Sequence, residues 1–172
     1  SFVSDDISDY YLTPWDVDYG RLVKFDHDFI GREALEKMVD QPHRRKVTLE
    51  WNAEDVLAVE RSILPGQEPG KYMETPCAHY AAHPYDSVMI GGRLVGVSTY
   101  PTYLSVDHQW ISLAMIDEAD AQVGDEVTVI WGEPDGGSAK PGVERHVQKE
   151  IRARILPWPY LEAARKIRAH TA

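Results

Sequence analysis

The sequence predicts a mainly β chain whose larger part closes into an antiparallel barrel with a helix at its end. Three observations carry this. At least five short strand-like runs follow Pro42, glycine and proline punctuate them, and the clearest run alternates apolar with polar side chains at period two.

Residues 1–18 are aromatic, acidic and irregular in pattern. Residues 20–25 read as a strand, with Arg21, Val23 and Phe25 on one face and Leu22 and Lys24 on the other. A helix is expected from about Gly31 to Val39. Leu35 and Met38 share its apolar side, Glu33 and Lys37 form an i,i+4 pair, and Asp40-Gln41-Pro42 ends it. A domain boundary is expected there, dividing the chain into 1–41 and 42–172. Lys46 to Trp51 alternates: Val47, Leu49 and Trp51 face one way, Lys46, Thr48 and Glu50 the other. Asn52 reads as the N-cap of a short helix reaching about Ser62, with Glu54 and Asp55 in its first turn.

Residues 65–86, rich in Pro, Gly and aromatics, read as a long loop. Ser87 to Ile90 and Arg93 to Tyr100 form a hairpin, because Gly91-Gly92 supplies the positive φ angles that a two-residue turn requires. Trp110 to Ile116 and Glu126 to Trp131 are two more strands. Residues 143–155 fit both a period of four and a period of two. The β-branched residues and the stop at Pro157 favour a strand in the second half. Pro159 suits a helix start. Leu161, Ala164 and Ile167 make that helix's apolar stripe, and Arg165, Lys166 and Arg168 suit its C-terminal end.

A chain of 172 residues holds one ordinary domain, or a small domain with part of another. With 18 basic and 28 acidic side chains the net charge is −10, which repels a phosphate backbone and argues against nucleic-acid partners. A local arginine pair can still override that field. No apolar run is long enough to cross a bilayer, and Ser-Phe-Val-Ser-Asp-Asp has no signal-peptide pattern, so no membrane partner is expected. The single cysteine, Cys77, cannot form an internal disulfide; a reducing, cytoplasmic location is the expectation.

Asp9-Tyr10-Tyr11-Leu12-Thr13-Pro14-Trp15, then Tyr19 to Asp26, then Asp28-Phe29-Ile30-Gly31-Arg32-Glu33-Ala34-Leu35 resembles the middle of the tetrahydrofolate-dependent aminomethyltransferase family, which includes the glycine cleavage T protein and aromatic O-demethylases. The hairpin Gly92 to Tyr100 and the strand Ser112 to Ile116 are similar to that family's later hairpin and strand. Thr99-Tyr100-Pro101-Thr102-Tyr103-Leu104 departs from the T-protein turn. So does the stretch 65–86. Tyr10 to Trp15 and Val143 to Ala153 look more like the O-demethylases of vanillate, syringate or methylgallate.

The resemblance implies a Greek-key β-barrel for 42–172, preceded by the tail of a folate-binding domain in 1–41. It implies that the chain is the C-terminal part of a one-carbon transferase using tetrahydrofolate and a small-molecule methyl donor. The missing N-terminal domains of the same polypeptide would be its partner. The main catalytic groups would lie in those domains, so no catalytic residue is assigned here and the stretch alone is expected to be inactive. Aminomethyl transfer in glycine cleavage, and a non-catalytic module of the same fold, stay open as alternatives.

Candidate cofactor contacts are few. Tyr11 and Trp15, with Tyr10, could stack on a pterin or simply pin an irregular segment. Arg44 and Arg45 could meet the carboxylates of the folate tail, since guanidinium forks suit carboxylates, or stand solvated at a strand start. Tyr100 and Tyr103 flank Pro101, where the family's barrel approaches the ligand, or pack a turn. Cys77, His79 and His83 have the spacing Cys-x-His-x-x-x-His, but prolines flank them and no second ligand cluster lies nearby, so no metal is assigned. His108 and His146 read as ordinary hydrogen-bonding histidines. The charged run from Glu144 to Arg154 reads as a solvated or interdomain face.

Overall fold

The computed structural model describes residues 1–77, 85–137 and 141–170. Its centre is a closed six-stranded antiparallel barrel of strand order β1-β4-β3-β2-β5-β6, with β6 pairing back onto β1. The strands are β1 (Arg44–Trp51), β2 (Asp86–Ile90), β3 (Arg93–Leu104), β4 (Gln109–Asp117), β5 (Glu126–Trp131) and β6 (Lys149–Leu156). Three helices accompany them: α1 (Arg32–Met38), α2 (Ala53–Ser62) and α3 (Glu162–His170). β2, β3 and β4 run as consecutive antiparallel neighbours, and β1 returns beside β4, which is Greek-key connectivity. None of the described helices is long and apolar enough to cross a membrane.

Period-two alternation builds the interior. Val47, Leu49 and Trp51 of β1, Val127, Val129 and Trp131 of β5, and Ile151, Ala153 and Ile155 of β6 all point into one buried cluster. Thr48 was expected on the outer, polar face, yet it too is buried, and its Oγ1 donates to the Pro157 carbonyl (3.2 Å). Trp51, Trp110 and Trp131 plug one end: Trp51 stacks on Trp110 at 6.2 Å and meets Trp131 edge-on at 5.6 Å. The Trp51 indole N–H donates to Ser112 Oγ (3.0 Å), which also accepts from Ser98 Oγ (2.8 Å).

The helix after β1 forms as the sequence predicts. Asn52 Oδ1 accepts from the Asp55 N–H (3.1 Å), and Val56 and Val59 turn into the barrel core. Asp55 fastens this helix to β6 by accepting from Arg152 N, Nε and Nη2 at 2.8–2.9 Å. That guanidinium holds the Asp55 carboxyl below the usual carboxylate range.

Gly91 and Gly92, both at positive φ, close the β2–β3 hairpin. Gly96 answers a different need. A β-carbon there would stand 2.3 Å from the Met115 carbonyl oxygen and 2.8 Å from Ile116 Cα, both backbone atoms of β4. Gly96→Ala is therefore expected to force β3 from β4 and cost roughly 1–3 kcal/mol, read as a lower midpoint in urea denaturation.

Three expectations need correction. Residues 20–25 form no strand: Gly20–Leu22 is a short 3-10 turn. Within this turn Leu22 N donates to the Tyr19 carbonyl (2.8 Å), and Gly20 packs so tightly on the Trp15 indole that a β-carbon would stand 2.3 Å from Cδ1. Helix α3 starts at Glu162, three residues beyond Pro159. The ion pair along α1 joins Arg32 Nε to Glu36 (2.8 Å), not Glu33 to Lys37. Of the long loop expected over 65–86, residues 65–77 are irregular apart from single bridges at Gly70 to Val147 and Cys77 to Thr102, 78–84 lie outside the described residues, and Asp86 already belongs to β2.

The N-terminal segment is tied to the barrel's outside. Phe2 packs with Val97 and Met115, joined by Tyr10, Leu12 and Tyr85. By contrast α1 buries none of its residues, and Leu22, Ile30, Leu161 and Ile167 stay exposed.

Candidate functional site

The strongest cluster of ligand-competent side chains gathers where β1 begins. Asp16 fixes it. This nearly buried carboxylate accepts from Thr13 N (2.8 Å), Thr13 Oγ1 (2.8 Å) and Arg44 N (2.8 Å), joining the Thr-Pro turn to the first residue of the barrel. Trp15 then stacks flat on His43, with centroids 4.9 Å apart and planes 12° from parallel.

A cleft of about 360 Å³ opens beside that stack. Its walls supply four cations, Arg44, Arg45, Lys46 and Arg168, against two carboxylates, Asp18 and Glu118. On a chain of net charge −10 this is a local reversal of sign. Arg44 Nε lies 3.6 Å from Asp117, and Arg168 Nη2 meets Asp18 at 2.5 Å. Arg45 is exposed and makes no ion pair among the described residues.

Lys46 holds its ammonium 4.0 Å from the centre of the Trp158 ring and 6.0 Å from that of Tyr19. Partial burial pulls the Lys46 ammonium below the usual lysine range, Arg168 pushes the same way, and Asp18 opposes both. An incoming carboxylate would relieve the repulsion between these cations. Flat aromatic surface and surplus cations in one cleft suit a planar anion.

Four of the six sequence-predicted cofactor residues gather at this end. Trp15, Arg44 and Arg45 line the cleft; exposed Tyr11 lines an adjoining, more acidic cleft that shares His43, Arg44 and Glu118. Tyr100 and Tyr103 do not join them. Tyr100 stands exposed at an irregularity in β3, at φ +53°. Tyr103 pairs with Trp110 in register and lines a cavity beside Trp51, at the far end of β1. Seven strand steps separate the two ends, about 23 Å.

Lys46, Trp158 and Arg168 escaped the sequence reading. Lys46 looked like one outward position of an alternating strand, and Arg168 like an ordinary helix-end cation. The Thr13-x-x-Asp16 spacing was a legible turn signal for Asp16.

His146 behaves as an ordinary hydrogen-bonding residue, but a buried one. Nδ1 lies 2.8 Å from the Glu144 carbonyl oxygen, and Nε2 stands 2.9 Å from the Glu133 N–H and 3.1 Å from Glu133 Oε2. Next to it Lys71, fully buried, donates to Glu133 Oε1 at 2.9 Å. Asp86 is also fully buried and meets the Ser1 ammonium at 3.0 Å. Burial pushes the Asp86 carboxyl up, against the pull of Ser1 and Lys71.

Cys77 is half-buried and in no disulfide, while His79 and His83 lie outside the described residues. Among the described residues no group of three or more His, Cys, Asp or Glu could hold a metal ion.

The fold and this cleft define a closed Greek-key barrel with an anion-suited end. No family model matches the chain. It is 52% identical over 165 residues to a syringate O-demethylase of Sphingobium sp. (strain NBRC 103272 / SYK-6), covering 96% of this chain and 36% of that protein. It is 34% identical over 170 residues to a sesamin methylene transferase of Sinomonas sp. (strain No.22), covering 93% of this chain and 35% of that protein. The chain thus spans about a third of the length of these curated relatives.

Proposed function

We propose that this chain is the C-terminal part of a tetrahydrofolate-dependent O-demethylase that moves a methyl group from a methoxylated aromatic acid, with syringate as the favoured donor. The observation that carries the reading is the 52% identity to a syringate O-demethylase across nearly the whole chain. Residues 1–41 belong to the folate-binding body in this reading, and 42–172 are the barrel that covers it. The exposed Leu22, Ile30, Leu161 and Ile167 support a partner surface in the rest of the polypeptide.

Tetrahydrofolate, when bound, supplies the nitrogen that accepts the methyl group. The chain's own residues fit the anionic tail of that cofactor rather than its pterin. Arg45 and Lys46 hold its carboxylates, and Trp15 and Trp158 wall its flat part. A carboxylate for the pterin edge, and a proton donor for the departing phenoxide, belong to the remainder of the enzyme. This stretch alone therefore turns over nothing.

The test uses a protein of the relatives' full length that contains this chain. With syringate and tetrahydrofolate it is expected to form methyltetrahydrofolate and demethylated syringate in equal amounts; demethylation without methylated folate overturns the reading. Arg45→Ser in that protein is expected to raise KM for tetrahydrofolate roughly tenfold and leave kcat within about twofold, as loss of one charge-assisted hydrogen bond requires. The second relative keeps sesamin as the rival donor. The same assay with sesamin separates the two.

A further inference from the structure

The far end of the barrel holds a second cavity that the folate reading does not use. It is a partly open pocket of about 330 Å³ between β1, α2 and the β3–β4 hairpin. That lies within the size range of small-molecule pockets. Trp51, Trp110 and Tyr103 give it aromatic walls, with Tyr103 and Trp110 at 6.0 Å and 50°. Leu57 closes one side from α2.

Its polar groups lean toward acceptors: Thr75, Tyr103 and His108 can each donate or accept, and the other two polar side chains mainly accept. The Gln109 side-chain nitrogen donates to the carbonyls of Trp51 (2.6 Å) and Trp110 (3.2 Å), so the amide's remaining capacity is its acceptor oxygen. Glu60 adds a carboxylate. Neither Lys nor Arg is among the described residues that line it. His108 stands at the rim at φ +53°, a conformation unusual for a residue other than glycine, with Nδ1 3.4 Å from the Tyr103 hydroxyl. A carboxylate ligand would meet Glu60, with no lysine or arginine among the described lining residues to offset it. A flat molecule that donates hydrogen bonds would meet ring faces and acceptors.

We propose that this cavity binds a neutral hydroxylated aromatic molecule, and that it discriminates against aromatic acids of the same size. The proposal stands apart from the folate reading, which concerns the opposite end of β1.

The test is heteronuclear NMR of the 172-residue chain, following the tryptophan indole N–H signals while catechol or benzoate is added. Catechol is expected to give saturable shifts at Trp51 and Trp110, with an apparent Kd at least tenfold below that of benzoate. Leu57→Trp places a ring into the cavity from an exposed helix position, and is expected to abolish the catechol shifts without lowering the melting temperature. Glu60→Lys, also on the exposed side of α2, is expected to reverse the preference toward benzoate. Catechol shifts that fail to saturate, equal responses to both probes in the unmodified chain, or shifts that survive Leu57→Trp would each overturn the proposal.

Discussion

Glu133→Leu is expected to cost roughly 3–5 kcal/mol, because it removes the carboxylate that a fully buried lysine meets at 2.9 Å. Lys71 is fully buried, and a desolvated ammonium that loses its nearest carboxylate costs far more than one neutral hydrogen bond. The Trp131 face, 5.1 Å from Lys71 Nζ, offsets part of that cost. Lys71→Met is expected to be comparably harmful, since Glu133 then faces the interior as the surplus charge. For a chain of this size the loss corresponds to about 10 °C in Tm. Lys71→Met combined with Glu133→Leu is expected to be more stable than either single variant, because the pair's mutual attraction mainly repays its own desolvation. Thermal melts of the three variants check this. Additive losses in the double variant would show that the pair is worth more than its burial costs.

Trp51→Ala is expected to lose about 3–5 kcal/mol. Trp51 is almost entirely buried and touches two other tryptophans, so its removal leaves a cavity where the barrel end is sealed. It also removes one of the two hydrogen bonds that Ser112 Oγ accepts, leaving the one from Ser98. Trp51→Phe keeps an aromatic ring there and is expected to recover most of the loss, within about 1–2 kcal/mol of the natural chain. Chemical denaturation gives both numbers. The near-ultraviolet circular dichroism of the stacked Trp51–Trp110 pair is expected to collapse in either variant. A loss below about 1 kcal/mol for Trp51→Ala would mean that the barrel end closes without its plug.

The barrel was legible because its strands repeat one simple rule. Val47, Leu49 and Trp51, or Ile151, Ala153 and Ile155, alternate with polar residues, and burial of one face is the only way to satisfy that pattern. Asn52 and the glycine pair 91–92 announced a cap and a turn through their own local chemistry. Residues 20–25 carried a similar alternation, but period two is a strand only when an edge is there to receive it, and Gly20–Leu22 instead forms a 3-10 turn packed on Trp15.

The ionic cluster was invisible for the opposite reason. Lys71 sits in a run read as loop, and its partner Glu133 is 62 residues away. No local pattern marks a lysine as buried. The candidate site was half legible. Arg44 and Arg45 stand adjacent at a strand start, but only folding brings Trp158 and Arg168 from the chain's other end to face them. Tyr100 and Tyr103 look equivalent about Pro101, yet the irregularity between Thr99 and Thr102 gives them different environments.

The account rests on this barrel being the cover of a folate site whose centre lies in the remainder of a longer enzyme. Calorimetric titration of tetrahydrofolate into the 172-residue chain, and into a protein of the relatives' full length that contains it, tests this most directly. Clear saturable binding to the longer protein, with weak or absent binding to the chain alone, is the predicted result. Equally tight binding to both would contradict it.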